Sequence, residues 1–302
     1  MKQFLKIIVL FFILFFIVEK SMYYFINNAP KKEFDQRLEF VLNGEMNKDI
    51  IILGSSRGAN NISAKQLEYE TNQTTYNLSY LGSNILFQEF IFKTLLKYNR
   101  PPKKIILVID NIFEFRENSS LTFRIDRLMP LKNFNYINNE LIRRNEKNVL
   151  SKMFCLSRVN REDFKLKKRK IREGYDLTSH GSILLELKKQ KEFSFLKNND
   201  IYEIETEEES MLQAFKNIQK LCEKNQIELF YVFPPNYNSF YNRFLKRFNK
   251  LVPNKNKIMI YDTTDIRYKN KKYFKDETHL FKTGASFFTA EISNFINLEI
   301  SN

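Results

Sequence analysis

Two histidines occur in the 302-residue chain, His180 and His279, and only the second stands where it could move protons. It lies in Asp276-Glu277-Thr278-His279-Leu280-Phe281-Lys282-Thr283-Gly284. A carboxylate three residues before a histidine in a turn can reach back to Nδ1, fix the tautomer and leave Nε2 as a base. A serine hydroxyl needs such a base to become a nucleophile. The serine best situated to use it is Ser56, in Gly54-Ser55-Ser56-Arg57-Gly58, a small-residue turn that follows the apolar run Ile50–Leu53. The chemistry of such a set is acyl transfer through a covalent serine intermediate, which requires no cofactor. Each block also has a plainer reading. The glycine-flanked serines suit an ordinary strand-to-helix turn or a phosphate-binding nest, and Asp276 to His279 suits a helix cap. His180 sits in a loop-like Asp-Leu-Thr-Ser-His-Gly-Ser stretch with no partner pattern.

Positioning these groups requires a scaffold, and the apolar, β-branched runs supply one. Ile50–Leu53, Thr75–Leu78, Lys104–Ile109, Ile227–Phe233 and Lys257–Tyr261 read as strands. Helical stretches fall at Asn84–Tyr98, Glu208–Asn225 and Gly284–Ile296. Strands that are apolar throughout and alternate with helices predict an α/β fold, three layers deep, around a mostly parallel five-stranded sheet. In such sheets the site lies at the carboxyl ends of the strands, where the serine turn falls. The domain is expected over residues 47–302. A stretch from about 112 to 206 exceeds an ordinary crossover and reads as a helical lid or subdomain. It carries the basic run Lys165–Lys170, which reads as a solvated face, or alternatively as a contact for anionic substrate or lipid.

At the amino terminus, Ile7–Val18 is an unbroken apolar run, flanked by Lys6 and by Glu19 and Lys20. Phe4 and Leu5 on one side and Met22–Ile26 on the other extend it to about 20 residues, the length of a membrane span. No small-residue cleavage site follows, so residues 1–26 are expected to be an uncleaved anchor. Lys2 and Lys6 place its start inside and the catalytic domain outside the cytoplasmic membrane. Residues 27–46, polar and holding Pro30, read as a linker. The formal charge is +14, spread mainly over Lys among abundant Asn, Ile and Phe. No zinc-finger spacing or aromatic RNA-binding run accompanies it, so the expected partner is membrane lipid or an anionic polymer and not nucleic acid. Cys155 and Cys222 match no metal or redox spacing.

The order of the blocks resembles the SGNH, or GDSL-like, hydrolase superfamily. There the nucleophile follows the first strand in a Gly-Asp-Ser-like block, and an Asp-x-x-His block lies near the carboxyl terminus. Here they read Gly54-Ser55-Ser56 and Asp276-x-x-His279, and Ser55 in place of the aspartate is closer to members that modify cell-envelope polymers. The resemblance covers about residues 48–112 and 226–296. It implies Ser56, Asp276 and His279 as a triad. It also implies an oxyanion hole from the Ser56 N–H, Gly82 in Asn77–Asn84, and Asn111, although the glycine expected before Asn111 is missing. Val232-Phe233-Pro234-Pro235-Asn236 would shape the wall of the site. The turn also fits the Gly-x-Ser-x-Gly elbow of α/β-hydrolases, but there the serine follows several strands and the acid stands far before the histidine. By resemblance, the expected activity is O-acylation or ester hydrolysis on an envelope polysaccharide or other glycan, beside a multispanning membrane acyl-transfer protein. A lipid or thioester hydrolase at the membrane surface and an inactive assembly protein of the same fold are the alternatives.

Overall fold

Strand β1 (Ile50–Leu53) is buried at every residue, and so are β2 (Thr75–Asn77) and β3 (Lys104–Val108). Strands β4 (Glu228–Phe233) and β5 (Ile258–Ile260) complete one sheet in a computed structural model that describes residues 1–28, 35–164, 179–187, 190, 192–196 and 200–300. The strand order is β2-β1-β3-β4-β5, and every pairing is parallel. In register, Ile52 lies between Asn77 and Ile106, and Val108 faces Val232. The chain steps from β1 to one side and then returns past it to β3, so the crevice at the carboxyl ends of β1 and β3 is the switch point of the sheet.

The helices, in chain order, are α1 (Lys2–Asn27), α2 (Arg37–Leu42), α3 (Ser56–Asn61), α4 (Ala64–Thr71) and α5 (Ile85–Tyr98). They continue with α6 (Ile125–Leu128), α7 (Asn135–Arg143), α8 (Glu209–Lys224), α9 (Asn242–Phe248) and α10 (Lys282–Ile300). Alternation along a strand sends neighbouring side chains to opposite faces. Ile50, Ile52, Ile106, Val108, Phe230 and Val232 share one core with Leu67 of α4 and with Ala285, Phe288 and Ile292 of α10. On the other face the Tyr231 ring meets Phe215 of α8 at 5.6 Å, and Phe233 meets Phe248 of α9 at 5.1 Å. The α/β architecture and its five-stranded parallel sheet, with helices on both faces, thus follow the periodicity of the sequence.

Backbone contacts divide the chain into two units. One contains the sheet and spans 40–123 and 172–302; the other joins Met1–Glu39 to Arg124–Ile171. The stretch 112–206 is divided between them. Within the smaller unit, α1 packs on the segment after α7. The Phe15 and Phe154 rings are 5.7 Å apart and those of Phe25 and Phe164 5.0 Å. Glu19 accepts hydrogen bonds from the Cys155 and Leu156 N–H groups. Among the described residues no helix is long and apolar enough to cross a membrane. The apolar run Ile7–Val18, expected as the core of an anchor, lies within α1. Lys6 at one end and Glu19 and Lys20 at the other interrupt the apolar stretch, and Glu19 is engaged by the fold. Arg37–Leu42, within the expected linker, is helical with Leu38, Val41 and Leu42 buried. Pro30 and the basic run 165–170 lie outside the described residues.

Candidate active site

Helix α3 begins at Ser56, directly beyond β1. Ser55 is its N-cap: its Oγ accepts from the Arg57 N–H at 3.2 Å and donates to Asp110 Oδ1 at 2.6 Å. A short polar cap lets the chain turn from extended to helical within two residues, and here it also ties the end of β1 to the end of β3. The two glycines of the turn are steric requirements. A Cβ on Gly54 would stand 2.9 Å from Val108 Cβ, and one on Gly58 would stand 2.4 Å from Ser79 Oγ. The turn can therefore lie against β3 and the loop after β2 only without side chains at these points.

The turn before α10 brings the histidine to this corner. Asp276 Oδ1 accepts from the backbone N–H groups of Thr278 (3.1 Å) and His279 (2.9 Å), which closes the turn. The same carboxylate holds His279 Nδ1, at 2.7 Å from Oδ1 and 3.0 Å from Oδ2. A carboxylate only accepts, so Nδ1 carries the proton and Nε2 presents a lone pair. Ser56 Oγ lies 2.8 Å from that Nε2. Burial alone would raise the pKa of Asp276. The hydrogen bond and charge of His279, with the two backbone N–H groups, outweigh burial and hold the carboxyl well below the usual carboxylate range. Asn61, the last residue of α3, fixes the spacing of the two blocks: its Nδ2 donates to Thr278 O at 2.9 Å and its Oδ1 accepts from Leu280 N at 2.8 Å.

Ser56 and His279 line a cavity of about 200 Å³. Asn111 lines it too, at the end of β3. Its φ of +53° is one that asparagine tolerates better than most residues, and its buried Oδ1 has no hydrogen-bond partner. Gly82 is not among the lining residues. Its turn is tied to Thr122, with Gly82 O accepting from Thr122 N at 2.8 Å, and to the serine turn, with Ser83 Oγ donating to Gly54 O at 3.0 Å. Asn118, Ser120 and Leu121, from the start of the stretch expected to form a lid, form part of the wall instead. Asn236, at the end of the Pro234-Pro235 turn, also lines it, with Asn238 and Tyr241 beyond. As the first residue of α3, Ser56 has a backbone N–H with no acceptor inside the helix, so this donor is available to a bound oxygen. His180 lies away from this corner. Its carbonyl accepts from Asn77 N at 2.8 Å, and its ring Nε2 is 3.4 Å from Glu68.

Beneath the serine lies a charge cluster that spacing did not disclose. Arg57 is buried, and its Nη2 donates to Pro234 O at 2.7 Å and Asn236 Oδ1 at 3.2 Å, fastening α3 to the end of β4. Glu114 Oε2 accepts from Asp110 N at 2.7 Å. Burial, reinforced by the neighbouring Asp110 charge, pushes the Glu114 pKa up to about 8. Burial raises Asp110 as well, against the pull of Arg57 and the Ser55 hydroxyl. Near neutral pH Glu114 is therefore mainly protonated. The signal for this cluster was faint: an acid at the end of β3, another four residues later, and an arginine after the serine. Among the described residues no group of three or more His, Cys, Asp or Glu side chains could hold a metal ion, and Cys155 and Cys222 are free thiols.

No family model matches the chain, and no curated protein matches it.

Proposed function

We propose that the chain is a serine-dependent acyl-transfer enzyme of SGNH type, acting as an O-acyltransferase or esterase on a cell-envelope carbohydrate. The observation that carries this reading is the unbroken link from Ser56 Oγ through His279 to Asp276, at 2.8 and 2.7 Å. As Ser56 Oγ attacks the ester carbonyl, His279 Nε2 takes its proton, and Asp276 stabilises the imidazolium. The carbonyl oxygen becomes an oxyanion, for which the Ser56 N–H is a donor and Asn111, in the cavity lining, would be a second. Collapse breaks the ester C–O bond, and the leaving alkoxide takes the proton from Nε2, leaving acyl-Ser56. Water or an acceptor hydroxyl then attacks, losing its proton to His279, and Ser56 departs with that proton restored. The residues present complete this cycle without a cofactor.

The character of the cavity supports a carbohydrate and a short acyl group. Asn111, Asn118, Ser120, Asn236, Asn238 and Tyr241 offer neutral donors and acceptors suited to hydroxyl groups. Its volume falls below the roughly 300–1,000 Å³ typical of sites for drug-sized ligands, which favours an acetyl-sized group over a long lipid chain. Attachment to membrane lipid through α1 belongs to the same reading, since Phe11, Phe12, Leu14 and Phe16 are all more than half exposed. A polytopic acyl-transfer protein is the partner that would supply acyl groups there.

The test is incubation of the full chain, in lipid vesicles, with an aryl acetate, with and without an oligosaccharide. Acetylated oligosaccharide identifies a transferase, and acceptor-independent release of acetate an esterase. A donor left intact under both conditions, while a long-chain acyl thioester is cleaved, would replace this reading with that of a lipid or thioester hydrolase.

A further inference from the structure

The smaller unit carries a second apolar surface beside α1. Between α7 and residue 158 the chain exposes Val149 (63%), Leu150 (53%), Met153 (76%) and Leu156 (44%) within eight residues. A chain end or a loose loop could do this without meaning, but this segment is held from inside. Arg158, itself buried, donates from Nε to Ser151 O at 2.6 Å and from Nη2 to Asn135 Oδ1 at 2.8 Å. Asn138 Nδ2 donates to the same Ser151 O at 3.1 Å, and Asn148 caps the Leu150 N–H at 2.9 Å. Polar groups thus point inward and large apolar side chains outward, the reverse of an ordinary surface turn.

The level at which the segment meets α1 identifies what covers it. Phe154 packs on Phe15, and the Cys155 and Leu156 N–H groups bind Glu19, one helical turn further on. Phe15 belongs to the apolar stretch Ile7–Val18, whereas Glu19 and Lys20 mark its polar end. The segment therefore lies at the boundary between the apolar and polar parts of α1. Lys20, at the polar end of α1, and Lys152, within the segment, add positive charge, which suits anionic lipid headgroups. Peripheral elements bury apolar residues about 5–10 Å into this layer.

We propose that Val149–Leu156 is a second membrane contact, which dips into an anionic lipid surface alongside α1. It rests on the reading that α1 is embedded in lipid, and fixes how the smaller unit stands on the bilayer. Two attachment points resist rotation about α1, as a single helix does not.

The chain contains no tryptophan, so single tryptophans can report each point separately. The full-length variants Met153→Trp, Leu10→Trp and Tyr69→Trp would be reconstituted into phosphatidylcholine–phosphatidylglycerol vesicles, with and without brominated acyl chains. All three positions are exposed, so the substitutions need not disturb packing. The proposal expects bromolipid to quench the indole emission of both the Met153→Trp and the Leu10→Trp variants, the former most strongly with bromine near the headgroup. The Tyr69→Trp variant, on α4, supplies the emission of an exposed indole in buffer without vesicles, against which the other two are scaled. Quenching in Leu10→Trp but not in Met153→Trp overturns the second contact and leaves α1 in lipid. A blue-shifted but unquenched Met153→Trp signal means that a second copy or another protein covers the segment, which also overturns it. Loss of quenching at both positions removes the α1 reading and this proposal together.

Discussion

Glu114→Gln should remove a pH dependence of stability that the wild-type chain carries between about pH 5 and pH 8. Glu114 is buried beside Asp110, and its pKa is raised from 4.5 to about 8. Between those values the folded chain holds a proton that the unfolded chain releases. Stability from this group is thus complete below about 4.5 and declines as pH rises through about 8. At ~1.4 kcal/mol per pH unit the full interval corresponds to about 5 kcal/mol. That figure is an upper bound, because Asp110 shares the local charge and the unfolded chain is not fully solvated; a loss of ~2–3 kcal/mol is the expectation. Glutamine resembles the protonated acid in shape and keeps an oxygen to accept from Asp110 N. Its profile over this interval should therefore be flatter than wild type by that amount, with the variant more stable at pH 8. Urea denaturation of both chains at pH 5, 6.5 and 8 measures the difference directly. Parallel profiles, or wild-type stability that rises relative to the variant, would refute the buried protonated acid.

Asp276→Asn should leave the fold intact but present His279 in the wrong tautomer. Turnover of an aryl acetate should fall by roughly 10³–10⁴-fold, whereas a loss below tenfold would mean that Asp276 does not orient the base. Gly58→Ala forces a methyl to 2.4 Å from Ser79 Oγ and 3.0 Å from Ser79 Cβ. Overpacking at such a contact costs about 1–3 kcal/mol, so the thermal midpoint should drop, and an unchanged midpoint would show that the turn can move off the loop after β2.

The elements that proved legible were those whose evidence is local. Ile50–Leu53 and Lys104–Val108 are buried on both faces, and a continuous apolar run records this without reference to distant chain. Asp276 and His279 are likewise neighbours in sequence, so the three-residue interval was enough to suggest their contact. The Ser55–Asp110 bond and the Arg57–Pro234 bond join residues 55 and 177 positions apart, and no periodicity encodes such distances. Gly82 adopts the positive φ of 70° that a glycine allows, in a turn held to Thr122 and, through Ser83, to Gly54 of the serine turn. The amino-terminal helix was visible as an apolar run. Its union with residues 124–164 was not, because that depends on ring contacts such as Phe15 with Phe154 and on Glu19 binding backbone far along the chain.

In the proposed mechanism Ser56, and not Ser55 beside it, forms the covalent intermediate. Ser55 Oγ already donates to Asp110 at 2.6 Å, while Ser56 Oγ is 2.8 Å from the histidine base. The most direct measurement is rapid acid quenching of the chain with an aryl acetate, followed by peptide mass spectrometry across residues 54–58. One acetyl group is expected on Ser56, absent from Ser56→Ala and from His279→Ala. Acetyl on Ser55, or undiminished acetylation and turnover in Ser56→Ala, would contradict it.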